Sequence, residues 1–298
     1  MNPAIRKGIG ACVGWANILA GRRYRRIAQL RQGRDALCIF SHNPTRKAME
    51  GMICWLKGRG FRFVSQEDLR RAWEGRGSLP PQAVWLSFDD GWQQNLTNVV
   101  PVLEREEIPT TFFIAPDAIR VGCDWLAMAH SNVGGVDRRT LFRMPKRERN
   151  AQAQKWMETA RQQGRFARML MSAEEIVKLS GNELLSFENH TLTHAPAAGC
   201  SPEEFLQEVR DADGAIREWT GKATSLVCYP FGIWSEPCER LLREGGWLPV
   251  TSDPGTLSVA DGAPLRLPRN LFYDDMSIVE NTCRALGTWI KISSNLQD

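Results

Sequence analysis

Two adjacent carboxylates, Asp89 and Asp90, end the β-forming run "AVWLSFDDG". A hundred residues later "FENHTLTH" supplies His190 and His194, four apart, just past a second β-forming run. Two like charges side by side at a strand tip are costly unless a metal, a proton or a substrate uses them. Taken alone, the Asp-Asp-Gly segment also reads as a turn or a helix cap. Neutral imidazoles at i and i+4 on a helical turn can reach one metal ion. With Asp90 they make a two-histidine, one-carboxylate set that leaves open positions for water and substrate. The second aspartate then has its own task. With Asp90 as ligand, Asp89 stands beside a metal-bound water and can take its proton.

These side chains need a frame that delivers strand tips to one place. Short apolar runs at 36–42, 61–65, 83–90, 110–115, 184–190, 225–232, 248–253 and 265–270 read as strands. Their continuous apolar character is that of parallel strands covered on both faces. Helical patterns lie between them. The clearest begins at "SPEE", with Ser201 as N-cap, Pro202 at the first position and Glu204 closing a capping box. Phe205, Val209, Ala212, Ile216 and Trp219 form its apolar stripe, and Gly221 ends it. Repeated β-then-α order over about 240 residues implies an α/β fold, a parallel sheet rolled into a barrel. In such folds the site sits at the C-terminal ends of the strands, where Asp89 and Asp90 lie.

The length of 298 residues suits one large α/β domain or two small ones, and 43% hydrophobic with 24% charged residues is an ordinary soluble composition. Eight scattered cysteines without a C-x-x-C pair argue against a zinc ribbon and for reduced thiols in the cytoplasm. The net charge of +4 is uneven. Residues 1–34 carry +8 and residues 136–170 carry +7, which leaves −11 for the rest. Such basic segments on an acidic body suggest an anionic partner such as a membrane surface or a phosphorylated glycolipid. No nucleic-acid motif accompanies them, so no nucleic acid is expected. The segment 8–21 is too short to span a bilayer, which takes about 20 apolar residues. Trp15 and the flanking "RRYRR" fit an interfacial helix instead. The expected layout is a basic N-terminal helical segment at 1–34, a catalytic barrel at 35–274 with a helical basic insertion at about 117–170, and a C-terminal helix at 275–298.

"SFDDG", "NHTLTH" and "YPFG" resemble the three signature motifs of the polysaccharide deacetylases (NodB homology, carbohydrate esterase family 4) over about residues 36–272. The resemblance implies a distorted parallel (β/α) barrel, a single divalent metal, usually zinc, and removal of N-acetyl groups from amino sugars. By position, it makes Asp89 the general base and Asp90, His190 and His194 the metal ligands. The backbone N–H near Phe231, where the family has Tyr, becomes the oxyanion donor, and Tyr229 is expected close to the sugar.

Two departures stand out. The family's arginine at the start of the third motif is Cys228 here, and Arg269 in "RLPRN" is the candidate to orient the base in its place. No histidine follows His194, so the family's C-terminal acid is missing. "FSHNP" resembles the motif of a branch whose catalytic histidine lies on the N-terminal side, which makes His42 the general acid. His130 is given no role beyond structure. The expected function is metal-dependent de-N-acetylation of an N-acetylhexosamine in a glycan or glycolipid, such as a lipopolysaccharide core or O-unit. The expected location is the cytoplasm, peripheral at the inner membrane. A catalytically inactive sugar-binding relic and a non-haem iron oxygenase are the competing readings, the second because the ligand set also suits Fe(II).

Overall fold

The computed structural model describes residues 3–132, 137–260, 262–274 and 276–289. The chain divides into two compact units, one made of 1–86, 253–264 and 268–298, the other of 87–252 and 265–267.

β1 is Asp35–Ser41, β2 Arg62–Phe63, β3 Ala83–Asp89, β4 Thr110–Ile114, β5 Leu185–Asn189, β6 Leu226–Cys228, β7 Leu248–Val250, β8 Leu257–Ser258 and β9 Asn270–Leu271. Parallel pairing occurs in both units, and the ladders from β4 to β7 lie in the second. Within this unit the order is β3-β4-β5-β6-β7. β4 pairs parallel with β5 from Thr110↔Leu185 to Ile114↔Asn189, and β6 pairs parallel with β7. Every residue of β3 and β4 is buried, as a sheet covered on both faces requires. Phe88, Phe112 and Phe187 stack across three neighbouring strands at 5.5 and 5.7 Å, locking their register. The carboxylate of Glu188 accepts from the Ser225 and Leu226 backbone N–H groups at 2.8 Å, which anchors the start of β6.

The helix Pro202–Thr220 has the capping box on Ser201 and Glu204, and Gly221 closes it at φ 72. Its buried stripe is the expected one, with Glu208 and Ala215 added and Trp219 only half buried. The basic stretch after β4 forms the helices Pro116–Val121, Trp125–Asn132, Arg138–Arg143 and Lys146–Gln162. The last three build a core of their own around Trp125, Met128, Leu141 and Trp156. The returning chain is pinned to the turn after β3, where the Met171 N–H donates to the Gly91 carbonyl at 2.8 Å.

In the first unit β1 pairs parallel with β9 and antiparallel with β8, and β2 pairs parallel with the start of β3. An antiparallel edge is a departure from the all-parallel expectation. The expected strands at 61–65, 225–232, 248–253 and 265–270 shrink to two or three residues, and the one at 225–232 stops ahead of Pro230. α1 (Pro3–Leu19) packs on the helix Ile278–Ala285 through Gly10 and Gly14, and the Gly14 carbonyl lies 3.6 Å from Cys283 Sγ. Ile9, Trp15 and Leu19 face outward, 51%, 55% and 84% exposed, while Val13 and Ile18 are half buried. α2 (Arg22–Leu30) follows with Arg22, Arg23, Arg25 and Arg26. Residues 290–298 of the expected C-terminal helix lie outside the described residues.

Candidate metal centre and active site

β3 ends on Asp89, 4% exposed, and the chain turns sharply with Asp90 at φ 71 and Gly91 at φ 70. Asp accepts this left-handed conformation better than most residues because its short polar side chain bonds locally. Gly91 is required twice over, since a Cβ there would also press on Ile114 and Ile119 at 3.0 and 3.1 Å. The Trp92 indole donates to Asp90 Oδ2 at 3.0 Å, leaving Oδ1 facing the histidines.

His190 follows β5, and its backbone N–H donates to the Ile114 carbonyl at 3.0 Å, extending the ladder with β4 by one bond. Its Nδ1 lies 2.7 Å from the Cys228 carbonyl, an acceptor only, so Nδ1 carries the hydrogen and Nε2 is the ligating atom. The four-residue spacing to His194 is not a helical turn, contrary to the sequence expectation. The segment is an irregular loop with Thr191 at φ 62 and His194 at φ 57. Side chains hold it there. Asn189 accepts from the Thr191 N–H and donates to the Val209 carbonyl, and Thr191 Oγ1 accepts from the Ala195 N–H. Thr193 bonds the fully buried Glu208 carboxylate, which also pairs with Lys146 at 2.8 Å. Backbone strain concentrated at Asp90, Thr191, His194 and Phe231 is the pattern of a functional site over-determined by its surroundings.

His194 Nδ1 donates to Asp124 Oδ1 at 2.8 Å, and the Trp125 indole donates to the His194 carbonyl at 2.9 Å. Asp124 Oδ2 also accepts from the Leu126 N–H at the start of the helix Trp125–Asn132, so its two oxygens tie ligand to helix. Nε2 of His190 and of His194 then stand 3.5 and 3.4 Å from the same oxygen, Asp90 Oδ1. That is long for a hydrogen bond. It is close to the edge of about 3.3 Å between two ligands of a tetrahedral ion bound at about 2.0–2.1 Å. Asp90, His190 and His194 therefore fit a divalent ion, with a fourth position left open.

Asp89 sits one residue away, with Cys228 Sγ 3.7 Å from its Oδ2. Phe231 is in left-handed conformation at φ 61, and its ring stacks on Phe142 at 4.4 Å and lies 4.5 Å from His194 and 5.6 Å from Trp125. This makes an aromatic wall against the metal ligand. Tyr229 is a correction. Expected close to the sugar, it is 1% exposed, stacked on Phe205 at 5.5 Å beneath the helix Pro202–Thr220, and burial pushes its phenol pKa up. His42 and Arg269 belong to the first unit. His42 is half buried at the end of β1, edge-on to Phe40 at 5.7 Å. Arg269 is 1% exposed with its guanidinium 4.2 Å above the same Phe40 ring. His130 lies in the helix Trp125–Asn132, and its side chain is outside the described residues. Asp124, Trp92, Trp125 and Glu208 went unnoticed in the sequence, where no spacing ties them to the histidines.

Residues 76–248, more than half of the chain, match the family model described as polysaccharide deacetylase. The chain belongs to that family. It is 21% identical over 228 residues to YxkH of Bacillus subtilis, named as a candidate polysaccharide deacetylase, covering 75% of this chain and 65% of that protein. A Staphylococcus epidermidis poly-beta-1,6-N-acetyl-D-glucosamine N-deacetylase is 30% identical over 81 residues, covering 27% of this chain and 28% of that one. The chain thus spans less than two thirds of the length of these relatives. The solved structure of the Streptococcus pyogenes deacetylase PplD in complex with acetate superposes with a TM-score of 0.61 at 16% identity, over 85% of this chain and 98% of that one. That likeness establishes the fold, a curled parallel sheet with flanking helices of the distorted (β/α) barrel type.

Within this polysaccharide deacetylase fold the hydrogen bond from His194 to Asp124 fixes both tautomer and ring orientation. Asp124→Asn retains the helix-capping oxygen and loses the charge. It is expected to weaken divalent-ion binding by about 10- to 100-fold. Competition against a chelating dye measures this, and an unchanged affinity would remove Asp124 from the metal centre.

Proposed function

We propose that this chain hydrolyses the N-acetyl group of a hexosamine within a glycan or glycolipid, using one divalent ion, zinc, held by Asp90, His190 and His194. The observation that carries the reading is the pair of 3.4–3.5 Å edges converging on Asp90 Oδ1, with a second carboxylate beside them that is not one of the three ligands. An ion seated there supplies Lewis acidity toward the amide carbonyl and its attacking water. Asp89 accepts the proton of that water as its oxygen bonds to the carbonyl carbon. The backbone N–H at Phe231 donates to the carbonyl oxygen as it becomes an oxyanion. His42 gives a proton to the amide nitrogen as the C–N bond breaks, and acetate and the free amine leave. The N-deacetylase name of the Staphylococcus epidermidis relative and the complex of PplD with acetate support the same chemistry.

The finer reading is a lipid-linked acceptor, of the kind that carries a lipopolysaccharide core or O-unit, met at the cytoplasmic face of the inner membrane. α1 supports it. The helix buries glycines and turns Ile9, Cys12, Trp15, Ala16 and Leu19 outward, the reverse of a surface helix in water, with the α2 arginines next to it. No helix among the described residues is long and apolar enough to cross a membrane.

Acetate release from free, oligomeric and lipid-linked N-acetylhexosamines, with chelated and zinc-restored protein, tests the proposal. Metal-dependent release is expected, fastest on the lipid-linked member. Replacing Trp15 and Leu19 by Ser, or the four α2 arginines by Gln, is expected to lower partition onto anionic vesicles. Unchanged partition would defeat the membrane reading alone. Absence of release from every substrate, with metal bound, would defeat the deacetylase reading.

A further inference from the structure

We propose that Asp89, His190 and Cys228 form a second, thiol-containing metal site that overlaps the first, takes thiophilic ions and holds the centre inactive by using Asp89 as a ligand. One donor atom from each of these residues lies within 4.8 Å of the others. The Sγ–Oδ2 separation of 3.7 Å is close to the edge of about 3.5 Å expected between a thiolate at about 2.3 Å and a carboxylate at about 2.0 Å on one tetrahedral ion. His190 belongs to both sets, and its Nδ1 is committed to the Cys228 carbonyl. Only Nε2 remains, and one nitrogen serves one ion, so the two sets exclude each other.

The donor sets differ in softness. Asp90, His190 and His194 offer one oxygen and two nitrogens, which suit zinc, cobalt or iron. Asp89, His190 and Cys228 offer oxygen, nitrogen and sulfur, and a thiolate draws softer ions such as cadmium. The three side chains are 4%, 2% and 1% exposed, so an ion there is shielded from water. Among the described residues Cys228 is the only cysteine in a group of this kind. Binding breaks the S–H bond, forms a metal–sulfur bond and releases one proton, with no change of oxidation state. An ion in this position occupies the oxygen that would otherwise take the proton of the attacking water. Thiophilic metal and deacetylation are then mutually exclusive at one centre.

The site rests on the metal-centre reading above, but its test needs no turnover. Cys12 and Cys54 are exposed and would bind cadmium themselves, so both are changed to Ser in every variant. The metal-free protein is titrated with cadmium while the ultraviolet thiolate-to-cadmium charge-transfer band is followed. The band is expected at one equivalent, lost in Cys228→Ser and in His190→Gln, and kept in His194→Gln, which disables only the first set. Cys228→Ala and circular dichroism show whether a lost band reflects a lost fold, because a folded variant still binds cobalt through the first set. Cadmium bound one-to-one without a band would overturn the proposal. So would loss of the band in a folded His194→Gln, which would make the sulfur an additional ligand of the first set. A failed acetate assay with this band intact would count against the proposed function and not against the site.

Discussion

Asp89→Asn is expected to lower the rate of acetate release by about 10³-fold, with divalent-ion affinity essentially unchanged. Asn keeps the volume of Asp at a position that is 4% exposed, so the turn at Asp90 and Gly91 has no reason to move. It also keeps an oxygen that can accept from the Cys228 thiol across the 3.7 Å contact. What it loses is the capacity to take a proton. The neighbouring substitution separates the roles, because Asp90→Asn removes the oxygen on which both histidine Nε2 atoms converge. That variant should lose metal and activity together. Single-turnover acetate release and dye-competition metal binding on both variants are the measurement. An active Asp89→Asn would end its assignment as base, and a metal-free one would make it a ligand instead. The split between adjacent residues is the sharpest test of why two carboxylates share one strand tip.

Much of this centre is readable from sequence for a physical reason. Strand-end ligands follow runs such as Val84–Phe88 and Leu185–Phe187, whose mainly apolar character survives into strands buried at every position but Ser186. The helix Pro202–Thr220 is legible because its cap, first-turn proline and closing glycine are local signals. The conformation of 190–196 is not local. It depends on Glu208, fifteen residues on, and on Lys146, forty-seven residues before Thr193. A histidine pair at i and i+4 fits a helical turn equally well until those partners are known. Asp124 was hidden likewise, since its contact with His194 spans seventy residues inside a basic, helical stretch. Tyr229 misled in the opposite direction. Its motif position suggests a polar task, while its ring completes the core on Phe205.

The metal-free centre should titrate strongly, and the sign follows from its surroundings. Burial and the neighbouring His194 would lower the His190 pKa, but the Cys228 sulfur and the Asp90 carboxylate outweigh them and raise the value to about 10. His194 is raised too, where burial is outweighed by Asp124, Asp90 and Asp89. The ordinary histidine value is near 6.5, so both groups hold protons more tightly folded than unfolded. The His190 contribution is fully present below about pH 6.5 and is lost as pH rises toward 10, and His194 acts in the same direction. A chelated sample should therefore show Tm falling across that window, and a metal-loaded sample should not, because its imidazoles are already neutral. The same protons compete with the ion. Affinity should rise with pH by up to about tenfold per unit for each imidazole that must lose one. Three other thiols titrate above the window, since Cys38 and Cys123 are pushed up to about 12 and Cys200 to about 11. His190→Gln should flatten both curves. A chelated wild-type chain whose Tm holds or climbs from pH 7 to 10 would mean that the carboxylates around these histidines do not carry the charge their positions imply.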